Sequence, residues 1–218
     1  MKRNLLIPLL LCLCINLSAQ TLQMMQWFNE PESWNINNGT ITMDVTPYSD
    51  YWRVSPYDTM IDDAPFLYTT RGGEFEVKVR ISGKYKTNSD QAGLMLKISR
   101  GNYIKTGVEF VDGKYKIITV ESHEASKWNV LEVAFELDKP TEYIWFKAIK
   151  RLDTVDILYS FDDKKYTLIT NCYLRDNAPI MVGVIAASPE GEGFKLSFDN
   201  FKIKHLPDQR RMEWLEKN

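Results

Sequence analysis

The sequence predicts an all-β protein built as a two-sheet antiparallel β-sandwich. Apolar and polar residues alternate with a period of two along many short segments, as in strands that bury one face. Turn residues such as Gly72-Gly73 and Asp112-Gly113 separate these segments, and no helical period is found before the last dozen residues. Because the pattern gives about twelve or thirteen strands, two packed sheets are expected rather than one.

The chain begins with the layout of a secretory signal peptide. Residues 1–19 contain two cations, then an apolar stretch, then small residues ending at Ala19. That stretch is shorter than a membrane span, so cleavage after Ala19 and a secreted or periplasmic location are expected. The alternatives are lipoprotein processing at Cys12 or Cys14 and an N-terminal anchor that is never cut.

Charge and cysteine content exclude several classes of partner and crosslink. The formal net charge is −2, and removal of Lys2 and Arg3 with the signal peptide makes it −4. Such a chain does not attract nucleic acid or an anionic membrane, and no membrane span is predicted. Cys172 remains as a lone cysteine, which predicts a buried thiol and no internal disulfide.

The candidate strands follow one another without a Pro/Ser-rich linker or an internal repeat, which predicts one domain over residues 20–206. In chain order the candidate strands are 40–45, 51–54, 66–70, 74–81, 91–98, 103–110, 115–120, 130–137, 142–152, 155–161, 166–170, 180–187 and 194–203. The tail 207–218 forms either a short helix capped by Asp208, with Met212 and Leu215 packed on the sandwich, or a disordered end.

The stretch 90–112 is predicted to be an antiparallel hairpin that turns at Arg100-Gly101-Asn102. One face of the hairpin is apolar and should lie in the core; its members are Ala92, Leu94, Leu96, Ile98, Ile104, Thr106, Val108 and Phe110. The opposite face is either a binding surface or a solvated one; its members are Gln91, Gly93, Met95, Lys97, Tyr103, Lys105, Gly107 and Glu109.

Two other segments carry aromatic residues beside cations. In the strand 142–152, Trp145 and Lys147 lie opposite a core-facing set, so they form either a ligand-binding face or a second small core. If Trp145 shares a curved sheet with Tyr103, Lys105 and Glu109, a carbohydrate cleft results, because indoles stack on sugar rings. Trp52 and Arg53 are either ligand-binding residues or an aromatic plug at a sheet end.

No catalytic residue, metal site or cofactor is predicted. The chain lacks the alternate E-x-D-x-E carboxylates of jelly-roll hydrolases, and Glu74 and Glu76 continue into the cations Lys78 and Arg80 as a solvated charge ladder. Glu109 is the best lone carboxylate, but Lys105 two positions before it favours ligand binding over general-acid catalysis. The two histidines have no metal-ligand spacing. Asp199-Asn200 is either a calcium pair or a strand-end hydrogen bond.

Several motifs resemble one known family. DQAGLMLKIS with YIKTGVEFVDGKY resembles the signature of bacterial and fungal concanavalin A-like domains of unknown function, whose fungal namesake is a regulator of enolase. FNEPESW, SDYWRVSPY and ILYSFDDKKYTLI match further runs, so the resemblance covers residues 27–204. It implies a concanavalin A-like jelly roll.

These observations predict an exported, non-catalytic protein that recognises carbohydrate. The predicted ligand is a polysaccharide or oligosaccharide, and the predicted ligand-binding residues are Trp52, Arg53, Gln91, Tyr103, Lys105, Glu109, Trp145 and Lys147. One alternative is a glycoside hydrolase-like enzyme that uses Glu109. Another is a regulatory domain that docks a protein partner, which the resemblance to an enolase regulator supports.

Overall fold

The computed structural model describes residues 22–54, 59–123, 130–137, 141–175 and 178–217. Sixteen strands and one helix lie within these ranges. The signal peptide predicted at residues 1–19 lies outside them, and so does the side chain of Arg53. Among the described residues no helix is long and apolar enough to cross a membrane.

Two seven-stranded antiparallel sheets account for most of the chain, which confirms the predicted sandwich. Sheet A has the spatial order β1 (Gln26–Phe28), β6 (Phe66–Arg71), β15 (Ile180–Ala187), β8 (Gln91–Ser99), β9 (Asn102–Val111), β10 (Lys114–Ser122), β11 (Val130–Glu136). Sheet B has the order β14 (Thr167–Tyr173), β13 (Thr154–Ser160), β12 (Ile144–Arg151), β7 (Phe75–Gly83), β16 (Lys195–His205), β3 (Thr40–Asp44), β2 (Ser33–Asn37). A separate two-stranded hairpin consists of β4 (Tyr51–Val54) and β5 (Thr59–Asp62).

The main core lies between the inner faces of the two sheets. Sheet A contributes Leu94, Ile104 and Val108, and sheet B contributes Phe146 and Phe198, all nearly inaccessible to water. Strand alternation requires successive side chains to point to opposite faces, so the period-two pattern assigned these inner faces correctly. Three strands, β1, β2 and β5, were missed. β1 and β2 have no fully buried side chain, so their sequences lack the apolar alternation of a strand that buries one face.

The outer face of sheet A is covered as well, which the sequence did not indicate. The hairpin β4–β5 packs on it, and a second apolar cluster fills the space between them. Its buried members are Tyr51, Ala64, Phe66, Met95, Tyr103, Val120, Ile185 and Ala187. Consequently Lys97, expected to be an ordinary exposed lysine, is only 3% exposed.

Polar contacts hold this cover in place. Asn29 donates hydrogen bonds from its amide to the carbonyl oxygens of Asp62 and Ala64, at 2.7 and 3.0 Å. Arg100, in the turn between β8 and β9, forms an ion pair with Asp62 at 2.9 Å and donates a hydrogen bond to the Met60 carbonyl. The cover is therefore attached by the turns of sheet A as well as by apolar burial.

The C-terminal helix α1 (Gln209–Lys217) begins as predicted and packs differently. The Asp208 carboxylate accepts a hydrogen bond from the Arg211 amide at 3.0 Å, which is an N-cap. Glu74 accepts a second bond from the Gln209 amide at 2.9 Å. However, Met212 and Leu215 are exposed, so the prediction that they pack on the sandwich is wrong. The first turn of the helix is therefore anchored to Glu74.

We expect Leu94→Ala to lower the free energy of unfolding by about 2–5 kcal/mol, because a fully buried leucine between the sheets leaves a cavity. Leu168→Ala, the same change at a side chain that is 56% exposed, serves as the control and should cost less than about 0.5 kcal/mol. Urea denaturation of both variants measures the difference. Equal midpoints would show that the inner face of β8 has been assigned wrongly.

Candidate functional site

A cavity of about 250 Å³ opens on the outer face of sheet A, where the cover by β4–β5 ends. Four predicted site residues come together here on β4, β8 and β9, namely Trp52, Gln91, Lys105 and Glu109. The cavity is also lined by Asp50, Ser89, Ile118, Val120, Pro189 and Glu190. It thus combines a large aromatic surface with acidic, amide and hydroxyl groups.

Lys105 is the central structural group of the cavity. Its side chain is buried, and its ammonium donates hydrogen bonds to the Tyr51 carbonyl at 2.7 Å and to the Gln91 amide oxygen at 2.8 Å. The same ammonium lies 5.8 Å from the centre of the Trp52 ring, within cation–π range. A buried charge is costly unless it is paired, so these contacts tie the hairpin β4–β5 to sheet A at one defined place.

Paired strands bring the polar groups together. Gln91 stands directly opposite Glu109 in the register of β8 and β9, and Met95 stands opposite Lys105. Between them Gly93 faces Gly107, and a Cβ atom at Gly93 would collide with the backbone carbonyl of Thr106. Glycine is therefore required there, and the absence of side chains leaves space between the polar groups on either side.

Asp50 is the cavity carboxylate whose pKa is perturbed. Burial raises the pKa of Asp50 above its ordinary value, and the nearby Asp63 carboxylate raises it further. The Lys105 charge and the hydrogen bond from the Tyr51 amide act in the opposite direction. Asp50 is therefore a more basic carboxylate than a solvated one, as in sites that exchange protons or bind hydroxyl groups.

The sequence did not single out Asp50, Ser89 or Glu190 for this site. Ser89 and Glu190 lie in connections far apart along the chain, and the serine hydroxyl donates a hydrogen bond to the Glu190 carboxylate at 3.0 Å. Asp50 lies two positions before Trp52, and this proximity was the signal available in the sequence. Tyr103 occupies the same face but is buried in the second cluster beneath the hairpin, away from the cavity lining.

Trp145 and Lys147 do not share this face, so the predicted grouping with Tyr103, Lys105 and Glu109 is wrong. Both lie on β12 of sheet B, on its outer side. The indole of Trp145 is only 7% exposed because Lys78 and Arg80 lie over it, at 5.1 and 5.8 Å from the ring centre. The ring is therefore covered by cations of its own sheet.

Several charges on the outer face of sheet B form ion pairs. Arg80 binds Asp199 through two hydrogen bonds of 2.8 Å, and Lys78 binds Asp163 at 2.6 Å. The Lys147 ammonium lies 3.7 Å from Glu76 and 3.9 Å from the centre of the Tyr166 ring. The charge ladder expected for that face is present at Glu76, Lys78 and Arg80. The prediction that Glu74 belongs to it as a solvated carboxylate is wrong, because Glu74 is only 4% exposed and is paired with Arg151 at 2.7 Å.

The same set of ion pairs explains the role of the Asp199-Asn200 pair. Asn200 has a left-handed backbone, with φ of 53°, at a bulge in β16, and its amide donates a hydrogen bond to Asp199 at 2.7 Å. Asp199 is thus held by Arg80 and Asn200, which fits the strand-end hydrogen bond rather than the calcium alternative. Within the described ranges no group of three His, Cys, Asp or Glu side chains is arranged to hold a metal ion.

The fold and the cavity define a β-sandwich domain with a small polar pocket on one sheet face. The chain belongs to the DUF1349 family, a family of proteins of unknown function, which it matches over residues 27–206. This confirms the family resemblance expected from its motifs.

Three proteins illustrate the similarity. "Regulation of enolase protein 1" of Saccharomyces cerevisiae is 27% identical over 177 residues, which cover 81% of this chain and 87% of that protein. The crystal structure of a functionally unknown protein from the same yeast matches with a TM-score of 0.78 and 25% identity, over 85% of this chain and 98% of the other. The GH43 protein BlXynB from Bacillus licheniformis matches with a TM-score of 0.63 and 17% identity, over 83% of this chain but 36% of its own length. That last similarity concerns the fold alone.

The environment of Lys97, which lies two strand positions from Met95 of the second apolar cluster, predicts a pH-dependent stability. Burial lowers the pKa of Lys97 below its ordinary value of 10.5, and Asp62, 4.0 Å away, offsets this only in part. Between the lowered pKa and 10.5 the unfolded chain binds more protons than the folded one, so the free energy of unfolding rises with pH.

We expect Lys97→Met to be more stable than the wild type at neutral pH, with the gap narrowing as the pH rises toward 10.5. The reason is that methionine avoids burying a charge, whereas the lysine of the wild type escapes the cost only by losing its proton. Denaturant midpoints of both proteins between pH 7 and pH 10.5 measure the gap. A gap that widened with pH would contradict the assigned direction of the pKa shift.

Proposed function

We propose that the protein is a carbohydrate-binding domain whose ligand is a neutral saccharide held in the cavity of Trp52, Gln91, Lys105 and Glu109. The observation that carries the proposal is the meeting of a partly exposed indole with convergent polar side chains in one small cavity. An indole stacks on the C–H face of a sugar ring, while carboxylates and amides accept or donate hydrogen bonds to its hydroxyl groups.

The volume of the cavity and the charges that line it limit the class of saccharide that can bind. At about 250 Å³ the cavity is slightly smaller than most drug-sized sites, so it suits one sugar ring or the end of a chain. Three carboxylates line it, those of Asp50, Glu109 and Glu190, against the single ammonium of Lys105. This balance disfavours acidic saccharides. The similarity in fold to a GH43 protein supports the proposal only as a fold that occurs in carbohydrate-active proteins.

A glycan array should identify saccharides that bind the wild-type protein, and titration calorimetry should then show that Trp52→Ala weakens binding of those hits by about 1–3 kcal/mol. Trp214→Ala, which removes an exposed indole from α1, is the control and should bind like the wild type. The melting temperatures of both variants should stay close to that of the wild type. If no glycan binds, or if both variants bind equally well, the cavity is not a saccharide site.

A second candidate function is glycoside hydrolysis at the same cavity. It is favoured by one observation, that Asp50, with its raised pKa, and Glu109 line the cavity together, as an acid and a base would. Glu109→Gln separates the two functions, because it preserves shape and some hydrogen bonding. If the protein only binds saccharide, the variant should keep part of its affinity. If it is a hydrolase, the variant should still bind substrate but should no longer release reducing ends from polysaccharide.

Export is part of the proposal. Its support is the order of cations, apolar residues and small residues in 1–19. We expect N-terminal sequencing of the protein recovered outside the cytoplasm to begin at Gln20. Recovery of Met1, or of a lipid-modified Cys12 or Cys14, would contradict cleavage after Ala19.

A further inference from the structure

A second and larger depression crosses the outer face of sheet B. It has a volume of about 780 Å³ and is formed by β2, β3, β16 and β7 together with the residues just before β12, and its lining also reaches Tyr115 on β10 of sheet A. The register of these strands explains its direction. Asn35 pairs with Thr42, Thr42 with Ser197, and Ser197 with Ser82, so four small polar side chains stand in one row perpendicular to the strands.

This row forms the floor of a groove because its neighbours on the same face are larger. On one side stand Asp44 and Lys195, and on the other stands the Arg80–Asp199 pair. Adjacent strands are about 4.8 Å apart, so three steps between four strands give a length of about 14 Å. That length exceeds one sugar ring and fits a short extended chain.

The polar groups of the floor are available to a ligand. Asn35 and Thr42 are exposed, and no hydrogen bond within the described chain occupies the amide of the first or the hydroxyl of the second. The Ser82 hydroxyl donates to the Glu142 carbonyl at 2.7 Å, which leaves its oxygen able to accept. The floor thus offers amide and hydroxyl groups that both donate and accept.

Charges in the groove compensate one another. Asp44 and Lys195 form an ion pair at 2.8 Å, and Lys84 and Glu142 contribute one charge of each sign. An anionic or cationic polymer therefore gains little electrostatic binding free energy in the groove. Trp34 borders the groove at the edge strand β2, but it stands opposite the core residue Met43 and therefore points to the inner side of the sheet. Its indole is held there by a hydrogen bond to Glu30 at 2.7 Å and by an edge-to-face contact with Trp27.

The direction of the groove also argues against an added peptide strand. A peptide that augments a sheet pairs with the backbone of an edge strand and runs parallel to it. This groove runs across β7, β16 and β3, whose backbone groups are already paired, and reaches the edge strand β2 at right angles to its direction, so an occupant that follows the groove must be recognised by side chains. A polymer rich in hydroxyl groups and without charge satisfies that requirement.

We propose that this groove is a second binding site, which takes several consecutive residues of a linear neutral polysaccharide. It lies on the opposite sheet from the cavity and does not depend on that cavity being a saccharide site. Two sites on opposite faces would let one molecule contact two chains, or two parts of one chain, and so raise the apparent affinity for polymer above that for short sugars.

Affinity electrophoresis in gels containing xylan, mixed-linkage β-glucan or galactomannan tests the proposal. The comparison is made in the gel that retards the wild type. In that gel Thr42→Arg, whose larger side chain should fill the groove, should be retarded at least fivefold less than the wild type. Thr40→Arg is the matched control, because Thr40 lies on the same strand and face but outside the groove. It should migrate like the wild type. Asn35→Ala, which removes an amide without adding bulk, should weaken retardation as well.

The experiments distinguish failure of the groove proposal from failure of the proposal that the cavity binds saccharide. Calorimetric binding of short saccharides at the cavity should be unchanged in Thr42→Arg and weakened in Trp52→Ala. Equal retardation of Thr42→Arg, Thr40→Arg and the wild type would overturn the groove site, as would the absence of retardation of the wild type in all three polymers. Melting temperatures near that of the wild type should confirm that each variant is folded.

Discussion

The burial of β8 and β9 on both faces is the constraint on which the rest of the structure depends. Their inner face packs against sheet B through residues such as Leu94 and Val108, and their outer face lies under the hairpin β4–β5. Because both faces of this strand pair are buried, an unpaired charge on either face would be energetically costly. Lys105 is accommodated because the Tyr51 carbonyl and the Gln91 amide accept its hydrogen bonds, so one buried ammonium fixes the cover, the sheet and the cavity wall together.

The cavity follows from the incomplete extent of this cover. Where the hairpin ends, Trp52 remains partly exposed and the polar ends of Gln91 and Glu109 meet carboxylates from distant connections. Burial without full pairing raises the pKa of Asp50, so this carboxylate holds its proton more readily than a solvated one. An aromatic wall with unevenly solvated carboxylates is chemistry that binding proteins and hydrolases share, which is why the two proposed functions rest on the same residues.

Sheet B accommodates the charges on its outer face in a different way from sheet A. Its outer face has no second layer in the described part of the chain, and its charges are neutralised in the plane of the face by pairs such as Arg80 with Asp199. The long cationic side chains cover the indole of Trp145, burying apolar surface under their aliphatic stems. One row of short uncharged side chains runs between the Arg80–Asp199 pair and the Asp44–Lys195 pair, and this row forms the floor of the groove.

The sequence by itself determined the fold class, the family and the inner face of most strands. Period-two alternation places Leu94, Phe146 and their neighbours on one side of each strand whatever the tertiary arrangement, because the pleat of a strand allows nothing else. The same argument placed Lys105 and Glu109 on one face, and they do line one cavity. Alternation says which face of its own strand a residue occupies, however, and not which sheet the strand joins.

Only the tertiary structure separated Trp145 from Lys105, since strand order depends on packing between segments far apart in the chain. Only the tertiary structure placed the hairpin β4–β5 over sheet A, which buried Lys97 and Tyr103 and brought Asp50 and Glu190 to the cavity. These outcomes follow from long-range burial of apolar surface and pairing of buried charges, and neither leaves a local period in the sequence.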